Sequence, residues 1–381
     1  MRAVIVVDRW MAGRETGMLS RLEIGLADEG YRVVRAMPVA ALGGEQGGVY
    51  STVAGYVDTG LGFTLPRRVG VLVETLDALA TKQGDKGGVS VVHGFGARAW
   101  PVAVELARQT GAALVLEIDR TALIADAGRL ADVAAAKEAE AGPTPYFLCA
   151  AEPLRAMLSA RVSGARTSLA RWGVYVPPAR RARAEVRAVA MFVERGDSRG
   201  AAAALEALAR VAADEPTLMI FAHIQDDRNA PYWKVARRLN LLDRLSLSPD
   251  MESRREPALQ MDAMLLPDAS GTAHSIALDA MAAGMAVLAA PDERVEYLRG
   301  GQTARIVLRA DARDWEDAVR DSVLDAPRWG VLGATAREYV RAAHPVAGHI
   351  HSVLTAYSEA VRLHAEDTDL RAKRPASATL R

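Results

Sequence analysis

Three stretches of the chain carry side chains whose types and spacing could do chemistry. In Ser270-Gly271-Thr272-Ala273-His274-Ser275, followed by Ile276 to Pro291, Asp279 is the one carboxylate in a segment that reads as buried. A buried carboxylate is costly unless it has a partner or meets a ligand, or it complements the positive end of a helix beginning near Thr272. In Glu194-Arg195-Gly196-Asp197-Ser198-Arg199-Gly200, two arginines stand four residues apart in a strand-to-helix loop. Guanidinium forks match phosphate oxygens and a helix N-terminus adds backbone donors, so the pair suits a diphosphate, or is a solvated loop. In His93-Gly94-Phe95-Gly96-Ala97-Arg98-Ala99, the pattern G-x-G-x-x-A follows a strand and precedes a helix, and Glu117 ends the next strand. That is the spacing of a dinucleotide turn and its ribose-binding acid, although such a turn ordinarily follows the first strand of its domain.

Other chemistries lack their anchor. His349 and His351 lie i, i+2 on an expected helix and point to different faces, unlike a zinc pair. Asp367-Thr368-Asp369 falls in a polar C-terminal run, and neither G-x-S-x-G nor G-x-x-x-x-G-K-[ST] occurs. The single Cys149 cannot form an internal disulfide and fits a reducing compartment. A net charge of 0 argues against a nucleic-acid partner. Residues 3–7 are apolar but Asp8 and Arg9 end the run short of a signal-peptide core, and 276–290 is too short to span a bilayer. These readings predict a cytoplasmic protein with no integral membrane segment.

The elements that must position these residues alternate between short β-branched runs and amphipathic helices, the pattern of parallel sheets covered by helices. Strands are expected at 3–7, 31–35, 89–92, 114–117 and 146–150, with helices at 18–29, 68–81, 100–110 and 152–160. The glycine-rich stretch 38–65 reads as an irregular excursion. Val176-Pro177-Pro178, followed by Arg180, Arg181 and Arg183, is the best linker, since two prolines stop a helix. Alternation then resumes with strands at 187–193, 217–222, 262–266 and 286–290 and helices at 199–213, 232–239, 273–284, 329–343 and 346–363. The expected domains are 1–178 and 179–345, then a helix over 346–364 and a disordered tail over 365–381.

Taken together, the chain resembles the glycosyltransferase family 4 group of GT-B enzymes along nearly its whole length. Gly13 stands where that family has its glycine loop, and Asp28-Glu29-Gly30-Tyr31-Arg32-Val33 is similar to its L-x-x-x-G-H-x-V element. Val91-Val92-His93 is similar to a D-x-x-H strand end, Trp172-Gly173-Val174-Tyr175 to P-N-G-V-D, and Arg195 with Arg199-Gly200 to the G-R and K-G pair. Leu265-Leu266-Pro267-Asp268 and Asp279-Ala280-Met281-Ala282-Ala283-Gly284 resemble L-P-S and E-A-M-A-x-G. Ala336 through Tyr357 resembles the closing helices, the last of which crosses back to the first domain.

The resemblance implies two Rossmann-like domains facing across a cleft and a retaining, metal-independent transfer from a nucleotide-sugar to an acceptor that the sequence does not identify. It implies that Arg195 and Arg199 hold the donor diphosphate and stabilise the leaving group. Asp279 would take the ribose hydroxyls, and the backbone of Thr272, Ala273, His274 and Ser275 would face the sugar. The chain departs from the family pattern at two points. The acidic pair E-x7-E falls on Gly271 and Asp279, and the active-site histidine of the first domain falls on Asp119. Those departures keep open a protein of this fold that binds a nucleotide or a partner without transfer, and the Gly94–Gly96 turn keeps open an NAD(P)-dependent enzyme.

Overall fold

The computed structural model of the chain describes residues 1–42, 51–58, 62–84, 87–136, 142–178, 188–194, 199–224, 232–247, 258–309 and 311–373. It divides into two compact units. Unit 1 comprises Met1–Ala12, Leu19–Arg171 and the chain from Ala347, and unit 2 comprises Gly13–Met18 and Trp172–Val346.

In chain order the first half runs β1 (Arg2–Val7), α1 (Arg9–Arg14), α2 (Thr16–Asp28), β2 (Arg32–Pro38), β3 (Ser51–Tyr56), α3 (Leu65–Lys82) and β4 (Val89–Phe95). It continues with α4 (Trp100–Thr110), β5 (Ala113–Ile118), α5 (Ala122–Ala136), β6 (Tyr146–Cys149), α6 (Glu152–Arg161) and β7 (Arg166–Leu169). The second half runs β8 (Ala188–Val193), α7 (Arg199–Asp214), β9 (Met219–Ile224), α8 (Tyr232–Arg238), β10 (Leu245–Leu247) and β11 (Ala263–Leu266). It closes with α9 (Ser275–Ala282), β12 (Ala286–Ala289), β13 (Arg305–Ile306), α10 (Ala312–Leu324), α11 (Ala326–Ala343) and α12 (Val346–Lys373).

The strands form two parallel sheets, ordered β3-β2-β1-β4-β5-β6-β7 and β10-β9-β8-β11-β12-β13. Strands β1 and β5 are buried at every position, as a parallel sheet covered on both faces requires. Their sequences, RAVIVV and ALVLEI, are accordingly near-continuous apolar runs rather than alternating ones, with Arg2 and Glu117 as the charged exceptions. Helix α3 buries Val69, Leu72, Leu76 and Ala80 along one stripe, the helical spacing that covers such a sheet. In both sheets the strand order reverses beside the first strand of the unit, at β1/β4 and at β8/β11. Doubly wound sheets open a crevice at the carboxyl ends of their strands at that reversal.

Several expectations need correction. The stretch 38–65, read as irregular, contains β3, which continues the sheet beyond β2 with Val33–Pro38 in register against Ser51–Tyr56. The unit boundary falls at Arg171/Trp172 rather than at 178. Trp172 is buried, its carbonyl lies 3.0 Å from His344 Nδ1, and Val174 N–H donates to the His344 carbonyl at 3.0 Å. The segment 172–174 is thereby tied into unit 2 ahead of the prolines. Residues 179–187, which hold the arginine run of the expected linker, lie outside the described residues.

The tail expected from 365 is helical as far as Lys373, because α12 has partners along its length in unit 1. Arg166 makes a two-pronged pair with Asp367, at 2.9 Å on each side, and His364 Nε2 lies 3.1 Å from the Gly111 carbonyl. On α2, a Cβ at Gly25 would come within 2.5 Å of Ile350, so glycine is what lets these two helices approach. No described helix is long and apolar enough to cross a membrane.

The deepest polar link in unit 1 also holds α12. His93, fully buried at the end of β4, has Nδ1 3.0 Å from Tyr357 Oη and Nε2 3.2 Å from Glu117 Oε2. Burial, with His349 nearby, pushes the imidazole down to about 3, so the ring stays neutral, donating from one nitrogen and accepting at the other. The unfolded chain takes up a proton near the ordinary value of 6.5 while the folded one does not. Stability from His93 is therefore complete above that value and is lost progressively as pH falls towards about 3. Unfolding free energies measured by denaturant titration between those limits should fall more steeply in the parent than in His93→Gln; equal slopes would contradict this role.

Candidate functional site at the carboxyl edge of the second sheet

At the β8/β11 reversal of unit 2 lies a small pocket whose lining includes Phe192, Glu194, Asp268, Thr272, His274, Asp292 and Tyr297. Glu194 follows β8, Asp268 follows β11, and Thr272 to Ser275 lead into α9, so the strand ends and a helix start converge there. The ends of β8 and β11 are locked together because Glu194 N–H donates to Asp268 Oδ2 at 2.9 Å.

Glu194 is the electrostatic centre of the pocket. Its Oε1 accepts from Arg14 Nη1 at 2.9 Å and lies 2.8 Å from His274 Nε2. Burial raises its carboxyl, but the opposing pull of His274, with Arg14 and the Ser270 hydroxyl, is larger and holds it well below the usual carboxylate range. Arg14 itself is buried. Its Nη2 donates to the Ala273 carbonyl at 2.8 Å and its Nε lies 2.9 Å from Glu15 Oε1. Glu15 in turn accepts from the hydroxyl of Ser275, the first residue of α9.

The loop before α9 is held residue by residue. Gly271 has φ +64° and donates its N–H to Asp292 Oδ2 at 2.6 Å. His274 donates its N–H to Tyr297 Oη at 2.7 Å, and the same hydroxyl lies 3.2 Å from the His274 carbonyl. The left-handed backbone at 271 is strained for any side chain, so this turn favours glycine.

The expected site residues fall as follows. Gly271, Thr272, Ala273, His274 and Ser275 come together in this loop, with α9 starting at Ser275 rather than at 273. The backbone that was expected to face a sugar engages Asp292, Arg14 and Tyr297 at Gly271 N–H, Ala273 C=O and His274 N–H. Asp279 is buried one turn further along α9, outside its first turn. Arg199 is the exposed first residue of α7. Arg195 lies outside the described residues. Gly13, expected in a loop, sits exposed inside the short helix α1. Sequence reasoning missed Arg14, Glu15, Glu194 and Tyr297; Arg14 and Glu15 directly follow Gly13 and were the legible clue.

Unit 1 carries Asp119 and the glycine turn at its own carboxyl edge. Asp119 is fully buried at the end of β5 and pairs with Arg120 at 2.9 Å, whose guanidinium stacks over Trp10. The Gly94–Gly96 turn is filled: Asp8 packs where a Gly96 side chain would stand and accepts from Met11 N–H at 2.8 Å. A carboxylate in that position opposes a pyrophosphate, which removes the anchor of the dinucleotide reading.

Gly200 brings α7 to the site. A Cβ there would overlap the Pro267 carbonyl, so glycine alone lets the α7 start lie against the end of β11. Gly200→Ala should cost about 1–3 kcal/mol in chemical denaturation, whereas Gly13→Ala, with nothing within 4 Å of the added carbon, should not. For Glu194 the folded carboxyl is depressed, so its stabilisation is present above the ordinary value of 4.5 and withdrawn as pH falls below it. Glu194→Gln should lose about 1–3 kcal/mol at neutral pH and show a flatter acid limb, and an unchanged limb would contradict the pairing.

No protein-family profile and no curated protein matches this sequence. The fold does have solved counterparts. A sucrose-phosphate synthase from Thermosynechococcus elongatus superposes with a TM-score of 0.67 at 16% identity, over 97% of this chain and 100% of that one. Anabaena HepE, solved with UDP and glucose, gives 0.68 at 12% identity over 94% and 100%. A glycosyltransferase from Rickettsia africae gives 0.64 at 12% identity over 95% and 98%. The chain thus has the GT-B fold of these proteins, two parallel-sheet α/β units, along its length.

Proposed function

We propose that the protein is a glycosyltransferase that binds a nucleotide-sugar in unit 2 and transfers the sugar with retention and without a metal. The observation that carries this reading is the pocket at the β8/β11 reversal, whose lining includes Thr272 and His274, two residues that the family resemblance assigns to the donor, in a fold shared with HepE, which was solved with UDP and glucose. In this reading the diphosphate lies at the start of α7, where Arg199 offers a guanidinium fork and the helix start offers N–H groups, and Arg195, four residues earlier in the sequence, is its second cation. Asp279 takes the ribose hydroxyls, and Thr272, Ala273, His274 and Ser275 border the sugar. Charge grows on the leaving diphosphate as the glycosidic bond lengthens, and fixed cations stabilise it there more than in the ground state. The departing phosphate oxygen takes the acceptor proton. Asp119, at the edge of unit 1, orients the acceptor hydroxyl.

Calorimetric titration with UDP, GDP and ADP tests the donor site. One nucleotide should bind in the micromolar range, and Arg199→Ala should weaken it about 10- to 100-fold. Unchanged binding in the variant would overturn the diphosphate assignment, and binding of none would overturn the function. A second reading, binding without transfer, draws on Gly271, whose left-handed backbone leaves no carboxylate at that position. Slow release of glucose from UDP-glucose by the nucleotide-bound protein would decide against it.

A further inference from the structure

Unit 2 holds a second cavity, apart from the pocket at the β8/β11 reversal. It lies beside β13, the edge strand of the sheet and two strands from β11, and has a volume of about 260 Å³. Arg328, Leu332 and Thr335 recur at the spacing of one helix face, so a stripe of α11 forms one wall. Arg305 of β13 and Asp321 near the end of α10 also line it. Space remains at the turn before β13, where a Cβ on Gly301 would meet nothing within 4 Å.

Two features give this cavity a chemical preference. The first is charge. Arg305 and Arg328 are exposed cations and Asp321 is an exposed carboxylate, so these three side chains leave a surplus of one positive charge. Among the described residues neither guanidinium is engaged in an ion pair, with Asp321 or otherwise. The second is an apolar surface beside those charges. Trp329 is buried, Leu332 is half-buried and Val331 stands exposed. An inorganic ion would use the guanidiniums and leave that surface wet, whereas a ring or a short chain would cover it. The volume of about 260 Å³ falls just under the ~300 Å³ at which ligand sites usually begin, so one substituted ring fits and a nucleotide-sugar does not.

We propose that this cavity binds a small organic anion, a carboxylate or phosphate monoester carried on one apolar ring or short chain. Arg305 and Arg328 take the acidic oxygens, and the apolar body lies against Trp329, Val331 and Leu332. Asp321 opposes the anion and disfavours a second acidic group. None of these residues lines the pocket of Glu194, so the two sites are separate.

The full-length protein is titrated with benzoate, phenyl phosphate, benzyl alcohol and benzylamine by ligand-observed NMR at neutral pH and low salt. At least one anion should reach half-saturation near or below ~1 mM, and benzyl alcohol and benzylamine should bind about 10-fold more weakly. The anion that binds more tightly identifies the acidic head. Arg305→Gln and Arg328→Gln should each weaken it about 3- to 10-fold, whereas Asp321→Asn should tighten it about 2- to 5-fold. All three side chains are exposed, so the variants keep the fold, which an unchanged unfolding temperature reports. Saturating UDP should leave the anion bound; displacement would place it in the other pocket and overturn the assignment. Equal binding of anion and alcohol, unchanged affinity in both arginine variants, or no binding of either anion by ~10 mM would overturn it too.

Discussion

A carboxylate buried at the end of a parallel strand has to be compensated where it stands, and in unit 2 that requirement falls on Glu194. Leaving such a group without counter-charge costs several kcal/mol. The compensation comes from Arg14, 180 positions away in sequence, and from His274. These partners do more than neutralise it. By taking the Ala273 carbonyl, Arg14 fixes one edge of the loop ahead of α9, and Glu15 fixes the next through the Ser275 hydroxyl. Tyr297 and Asp292 hold the remaining backbone. The geometry of the whole pocket therefore follows from a single ionised group and the residues recruited to keep it ionised.

Unit 1 meets the same physical problem with a different outcome. Its carboxyl edge also buries acidic groups, Asp8 and Asp119. At Asp8 burial outweighs the Met11 hydrogen bond and Arg120, and the carboxyl is raised rather than lowered. The group fills the space that Gly96 leaves open, so the glycine serves an internal carboxylate and not an incoming phosphate. A G-x-G turn after a strand says that something must come close to the backbone; it does not say what.

Much of the fold was legible because both sheets are parallel and buried. Apolar runs such as 3–7, 114–117 and 286–290 and the stripes on the covering helices follow directly from that burial. What escaped was short or long-range. Strand β3 is only half-buried along most of its length, and its sequence, STVAGY, has no apolar run. Helix α1 has six residues and no room for a period. In the site, the 271–275 loop was visible as a local pattern beside the conspicuous Asp279, a carboxylate in an apolar helix that does not line the described pocket. Arg14 and Tyr297 were not, because their roles depend on which loops the chain folds together, and no local spacing encodes that.

The position of Gly271 shows how the conformation of a loop and the charge of its pocket can be set by different residues. With φ at +64° and its N–H on Asp292, this backbone favours a residue without a side chain. The acidic character enters by other routes, from Glu194 after β8, Asp268 after β11 and Asp292 beyond β12. Asp268 lies three residues before Gly271 in the same loop, whereas Glu194 and Asp292 come from other strand ends, so only the folded unit brings the three together. Which groups meet in a pocket is thus decided by what the strand ends bring together, and here Glu194 arrives with Arg14 and His274 as its partners.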